Sequence, residues 1–127
     1  MTDRRDLLYW LLVAMAAGTF ASGVVLMAAQ RFVLDILSAP TATSDRVFFG
    51  IIGMFMAIVG GELTQALLRR PPSAYVVGWS ALQKLGASGA MALAVALGVL
   101  SYYGLFLVAF DFSSGVAAIV YWRRIRT

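Results

Sequence analysis

Four apolar stretches constrain this chain more than any other feature. They run over about 7–29, 47–68, 75–100 and 102–122. A helix needs about 20 mostly apolar residues to cross the hydrocarbon core of a bilayer, and each stretch is at least that long. The rest of the composition agrees. Of 127 residues, 61% are hydrophobic and 13% charged, where an ordinary soluble domain has about 45–50% and about 25%. A soluble fold of this length could not bury so much apolar surface. The expected fold is all-α, an integral-membrane four-helix antiparallel bundle forming a single domain over 1–127.

The separators fit that reading. Pro40 and the polar run 41–46 divide the first two spans, and Arg69-Arg70-Pro71-Pro72 stops the second, since paired prolines cannot continue a helix. Ser101 to Gly104 is a short third connection. The segment 30–38 is open to two readings, an extension of the first helix or a piece lying along the interface. Arg4-Arg5 ahead of an apolar run resembles the start of a secretion signal. The run exceeds the usual 7–15 residues, so it is read as a retained anchor.

Charge sets the orientation. Arg4, Arg5, Arg69, Arg70, Arg123, Arg124 and Arg126 fall on one side of the predicted membrane, and only Arg31 and Arg46 on the other. The positive-inside rule then places both termini in the cytoplasm. Tyr9, Trp10, Tyr75, Trp79, Tyr121 and Trp122 would form an aromatic belt at that face, with Tyr102 and Tyr103 at the opposite one. The expected location is a bacterial cytoplasmic (inner) membrane.

What is missing also counts. The chain has no His, Cys or Asn. Zinc sites of the usual kind, thiolate chemistry and His-dependent triads are excluded. The Met residues are scattered along apolar spans and read as packing. No metal or cofactor is expected. The net charge of +4 comes from residues at span ends, where they act as topology signals, so no nucleic-acid partner is expected.

Lipid does not drive helices together by the hydrophobic effect, so close backbone approach at small residues must do so. Candidate stripes are Ala14, Gly18 and Ser22; Gly53, Ala57 and Gly61; and Gly86, Ala90, Ala94 and Gly98.

Three ionisable residues fall inside spans: Glu62, Lys84 and Asp111. Facing lipid, each would be costly, about 2.5–3.5 kcal/mol for a Lys or Asp at mid-helix. Counting from the turn at Pro72 puts Glu62 and Lys84 at similar depth on adjacent helices. The expected arrangement is a Glu62–Lys84 ion pair, with Gln65 and Gln83 satisfying the remaining donors and acceptors. Lys84 snorkelling to the headgroups, and a site for a proton, ion or polar ligand, are the alternatives. Ser80, Lys84 and Ser88 share a helix face, as in a Ser-Lys dyad. Asp111 counts out near the midplane, with Lys84 roughly 15 Å deeper towards the cytoplasm. It is therefore expected as a neutral, hydrogen-bonded acid, with Thr19, Ser22 and Ser114 in reach. Asp111, Glu62, Lys84, Gln65 and Gln83 are the candidate ligand- or proton-binding residues, and no catalytic residue is assigned.

In size the chain matches the small multidrug resistance transporters, but their first-span glutamate has no counterpart here, and the hallmark asparagine of the fluoride channels is absent. Over about 47–122 it is similar to small bacterial four-span proteins in the neighbourhood of DoxX-like families. In those a lysine in the third span is followed by an aspartate in the fourth. The matching positions are Lys84, in Leu82-Gln83-Lys84-Leu85-Gly86, and Asp111, in Phe110-Asp111-Phe112. That resemblance implies a four-helix membrane bundle and no particular activity. Loops this short leave no room for a soluble catalytic site, so the protein is not expected to be an enzyme. The expected function is an accessory or scaffold subunit packing against other membrane components or a second copy of itself. The alternative is a small oligomeric transporter or channel using Glu62, Lys84 or Asp111.

Overall fold

The structure, a computed structural model, describes residues 5–37 and 43–126. All its regular structure there is helical: α1 (Leu7–Ala28), α2 (Gln30–Ile36), α3 (Thr43–Leu68), α4 (Ala74–Ala96) and α5 (Gly104–Ile125). The described residues thus form five helices rather than the expected four, four of them long and α2 short. Arg4, Pro40 and Thr41, which entered the reading of the sequence, lie outside the described residues.

Local chemistry sets the helix ends. The Asp6 carboxylate caps α1 by accepting from the Tyr9 amide at 3.2 Å, satisfying one of the free amides of the first turn. The chain breaks at Ala29, whose backbone leaves the helical region. The ambiguous segment after it is thus a separate helix rather than a continuation of α1. Its Leu34 is fully buried, and Arg31 and Asp35 face outward. The third long helix stops earlier than the expected 100. Gly98 has φ 75°. The Gly98 amide donates to the Val95 carbonyl and the Val99 amide to the Ala94 carbonyl, at 3.0 and 2.9 Å. This is the Schellman arrangement, which needs a left-handed residue just past the last turn. Gly98 is therefore a helix stop and not part of a packing stripe.

Two helix pairs make the bundle. α1 packs closely on α3, and α4 on α5, while α3 touches α4 and α1 touches α5 more lightly. In the first pair a Cβ on Gly23 would fall 2.5 Å from the Ala57 amide nitrogen and the Gly53 carbonyl oxygen. One on Gly60 would meet the Phe20 and Ala16 backbone. Only glycine allows this approach, which maximises the contact that holds helices together in lipid. The stripe on α1 is thus Leu12, Ala16, Thr19, Gly23 and Leu26, and not Ala14, Gly18 and Ser22. On α3, Gly53 and Ala57 meet α1 as expected, but Gly60 takes the place of Gly61. On α4, Gly86 and Ala90 point outward, and the helix packs through Val77, Ala81, Lys84 and Ser88.

The main core lies at the arginine-rich end of the bundle. It gathers Tyr9, Leu12, Ala16, Leu63, Leu67, Val77, Ala81, Ala118, Tyr121 and Ile125. Across its end Arg124 pairs with Asp6 at 2.8 Å. The Tyr9 hydroxyl donates to the Leu67 carbonyl at 2.9 Å, and Tyr9 and Tyr121 stack with centroids 6.1 Å apart. Both tyrosines are fully buried, so they belong to the core and not to the expected aromatic belt. Trp10, Tyr75 and Trp79 are exposed as the belt requires. A smaller cluster of Leu34, Leu37 and Leu100 closes the other end, where the Ser101 amide donates to the Leu37 carbonyl at 2.8 Å.

Polarity runs opposite to that of a soluble protein. Thr19, Ser80, Lys84, Ser88 and Ser114 are buried, while Phe48, Phe55, Leu82, Leu93, Phe106 and Phe112 stand exposed. A surface so apolar matches lipid, not water. Three helices are long and apolar enough to cross a membrane: α1, the Asp45–Leu68 part of α3, and α5. α4 is comparably long but is not among them, and it turns Ser80, Lys84 and Ser88 inward. This is the pattern of an integral membrane protein.

Candidate functional site

The five candidate residues separate into two places. Lys84 and Asp111 meet inside the bundle. Glu62 and Gln83 meet on its surface, between α3 and α4, and Gln65 is exposed one turn along from Glu62.

Lys84 sits mid-way along α4 on its buried face and Asp111 in the second turn of α5. The ammonium lies 3.4 Å from the Asp111 Oδ1. It also donates to the Thr19 hydroxyl of α1, and it rests over the Phe110 ring, 5.2 Å from the centroid. The Thr19 hydroxyl in turn donates to the Met15 carbonyl at 3.0 Å, which leaves its lone pairs free to accept from Lys84. The cluster joins α1, α4 and α5. It links the two helix pairs, whose contacts with each other are otherwise light.

This overturns the expected Glu62–Lys84 pair, and it gives Asp111 the cation whose absence was the ground for expecting a neutral acid. The earlier count treated the outer connection as helix. Because α4 ends at Ala96 and α5 begins at Gly104, the intervening residues add little rise. The axial offset between Lys84 and Asp111 then falls to about 8 Å at about 1.5 Å per residue. Lysine's four-carbon stem spans most of that. Thr19, named for its depth, does join the cluster, through Lys84. Ser22 is exposed and Ser114 is buried with its hydroxyl unbonded. Snorkelling is also excluded, since Lys84 is 3% exposed.

The Ser-Lys dyad is not formed. Ser88 donates to the Leu85 carbonyl at 2.8 Å, and the three lysine donors are directed to Thr19, Asp111 and the Phe110 ring. Among the described residues no cluster of carboxylates could hold a metal ion.

Glu62 has a different setting. It is exposed and lines a cleft of about 400 Å³ between α3 and α4, with Val59, Tyr75, Val76, Trp79, Ser80 and Gln83. The Gln83 Oε1 is buried there without a hydrogen-bond partner. Gln83 thus lines the same cleft as Glu62 and makes no bond to Lys84. Tyr75 and Trp79 had been assigned only to the aromatic belt. Their shared spacing with Gln83, four residues apart along α4, puts all three on one helical face, and that is the signal that could have joined them to Glu62.

No known protein family, curated protein or solved structure matches this chain.

Proposed function

We propose that the protein is a four-span membrane protein, both termini cytoplasmic, residing in a bacterial inner membrane, and that it works as an accessory or scaffold subunit held against other membrane proteins. One observation carries this reading. At Gly86 and Gly89 of α4 an added Cβ would meet nothing within 4 Å, and Ala90 beside them is exposed. At Gly23, Gly53 and Gly60, by contrast, the same space is filled by the backbone of a neighbouring helix. The outward strip of α4 has the same smoothness, suited to the close approach of a helix from another protein. The interior charges support the same reading, since Lys84 and Asp111 satisfy each other instead of lining an open path.

Purification from native membranes in mild detergent tests it. Stable partners should accompany the wild-type chain, and Gly86→Ile should release them while leaving the bundle folded. Partners retained by that variant would count against the α4 surface. A homodimer with ion or drug flux would favour the second reading, a small oligomeric transporter or channel. That reading draws on Glu62, a carboxylate in a helix long and apolar enough to cross a membrane, with no cation beside it.

A further inference from the structure

We propose that the α3–α4 cleft is a binding site for a protonated amine carried on an apolar body, with Glu62 as its counter-ion and the Gln83 side-chain carbonyl as a second acceptor. The site rests on the local geometry alone, and it stands whether the protein is a subunit or a transporter.

Among the described residues Glu62 has no hydrogen-bond or ion-pair partner, although it lies on a helix of membrane-spanning length and hydropathy. A carboxylate near hydrocarbon is expensive unless a cation joins it. The bundle's interior cation is already taken, since Lys84 is bound to Asp111 and Thr19. No cation among the described residues lies beside Glu62, so a compensating charge from an outside molecule fits the cleft. A second acceptor, Gln83 Oε1 on a residue lining the same cleft, is buried with no donor among the described residues. Two unfilled acceptors call for a ligand that donates hydrogen bonds and bears positive charge. A protonated primary amine does both, while a quaternary ammonium offers no N–H.

The walls suit the rest of such a ligand. Tyr75 and Trp79 offer aromatic faces, which attract a cation electrostatically. Val59 and Val76 supply apolar contact for a hydrocarbon body. The volume, about 400 Å³, falls within the usual range for small-molecule sites, about 300–1,000 Å³. The cleft is open to the side of the bundle because α3 and α4 pack lightly, so an amphipathic amine can enter from the membrane. Its amine would then sit near the arginine-rich end. One chemistry could come from two sources: the ethanolamine headgroup of a phospholipid, or a free long-chain amine.

Calorimetric titration with tetradecylamine at pH 7, using the whole protein in dodecyl maltoside, tests the shared chemistry, with tetradecanol as the uncharged match. Saturable binding of one amine per chain is expected. Glu62→Gln should weaken it at least tenfold and Gln83→Leu several-fold, with wild-type thermal unfolding in both. Equal binding of tetradecanol, or an unchanged affinity in Glu62→Gln, would overturn the proposal. A second measurement leaves the carboxylate intact. In a Trp10→Phe/Trp122→Phe background, a brominated alkylamine should quench the remaining Trp79 fluorescence and be competed off by tetradecylamine; no quenching also overturns it. Native mass spectrometry after equilibration with equal phosphatidylethanolamine and phosphatidylglycerol separates the sources. One retained phosphatidylethanolamine, displaced by tetradecylamine, assigns the site to the headgroup. Amine binding with no preference between the lipids assigns it to a free amine.

Discussion

Asp111 and Glu62 are both carboxylates on helices long and apolar enough to span a membrane, yet the bundle treats them in opposite ways. Asp111 is enclosed where α4 and α5 pack tightly, and Lys84 reaches it from the neighbouring helix. Glu62 stands at the loose seam between α3 and α4, in a cleft, without a cation. The difference does not lie in the residues but in the packing around them. A tight helix pair brings partners within reach of a charge, and a loose one leaves a gap that an outside molecule can enter.

The largest effects should come from breaking the enclosed pair. Lys84→Met strands Asp111 in the interior, and loss of one partner of a buried pair costs about 3–5 kcal/mol. Unfolding in detergent should show a loss of that order. The double variant Lys84→Met/Asp111→Leu should recover much of it, because two apolar groups need no partner. Glu62→Gln, by contrast, should move stability by no more than about 0.5 kcal/mol. Comparable losses at Glu62 and Lys84 would break the distinction between the two carboxylates.

The same contrast extends to glycine. Gly60→Ala forces a methyl group into the backbone of α1, an overpacking that costs about 1–3 kcal/mol. Gly86→Ala meets open space, and with alanine's better helix propensity it should leave stability unchanged or raise it by up to about 1 kcal/mol. A loss at Gly86 matching that at Gly60 would mean that the outward strip of α4 is already packed.

The smallest expected effect separates the buried tyrosine from the exposed one. Tyr9→Phe removes the hydrogen bond to the Leu67 carbonyl and should cost about 0.5–1.5 kcal/mol. Tyr75→Phe, at a largely exposed position, should leave the melting temperature where it is.

Much of the fold was legible in the chain's local chemistry. The long apolar runs marked all four long helices, and Pro71-Pro72 marked the end of α3. The outer end of α4 was misread because Gly98 looks the same as a packing glycine and as a helix stop. Only its backbone conformation, φ 75°, distinguishes them. That error carried into the candidate site, since it stretched the axial distance between Lys84 and Asp111 and made Glu62 the nearer partner by count. The choice among small residues on α1 went astray for a similar reason. Ala14–Gly18–Ser22 and Ala16–Thr19–Gly23 are both plausible stripes on one helix, and the rotation of α1 against α3 selects between them.

Composition and periodicity by themselves determined that the chain is helical and that three of its long helices have the length and hydropathy of membrane spans, because these depend on residue counts along a single element. Only the tertiary structure decided which charges meet. Depth along a helix can be counted from sequence, but azimuth, offset and the closeness of neighbouring helices cannot. A contact such as Lys84 with Asp111 and Thr19 is set by all three at once. The same three quantities leave Glu62 and Gln83 lining an open cleft.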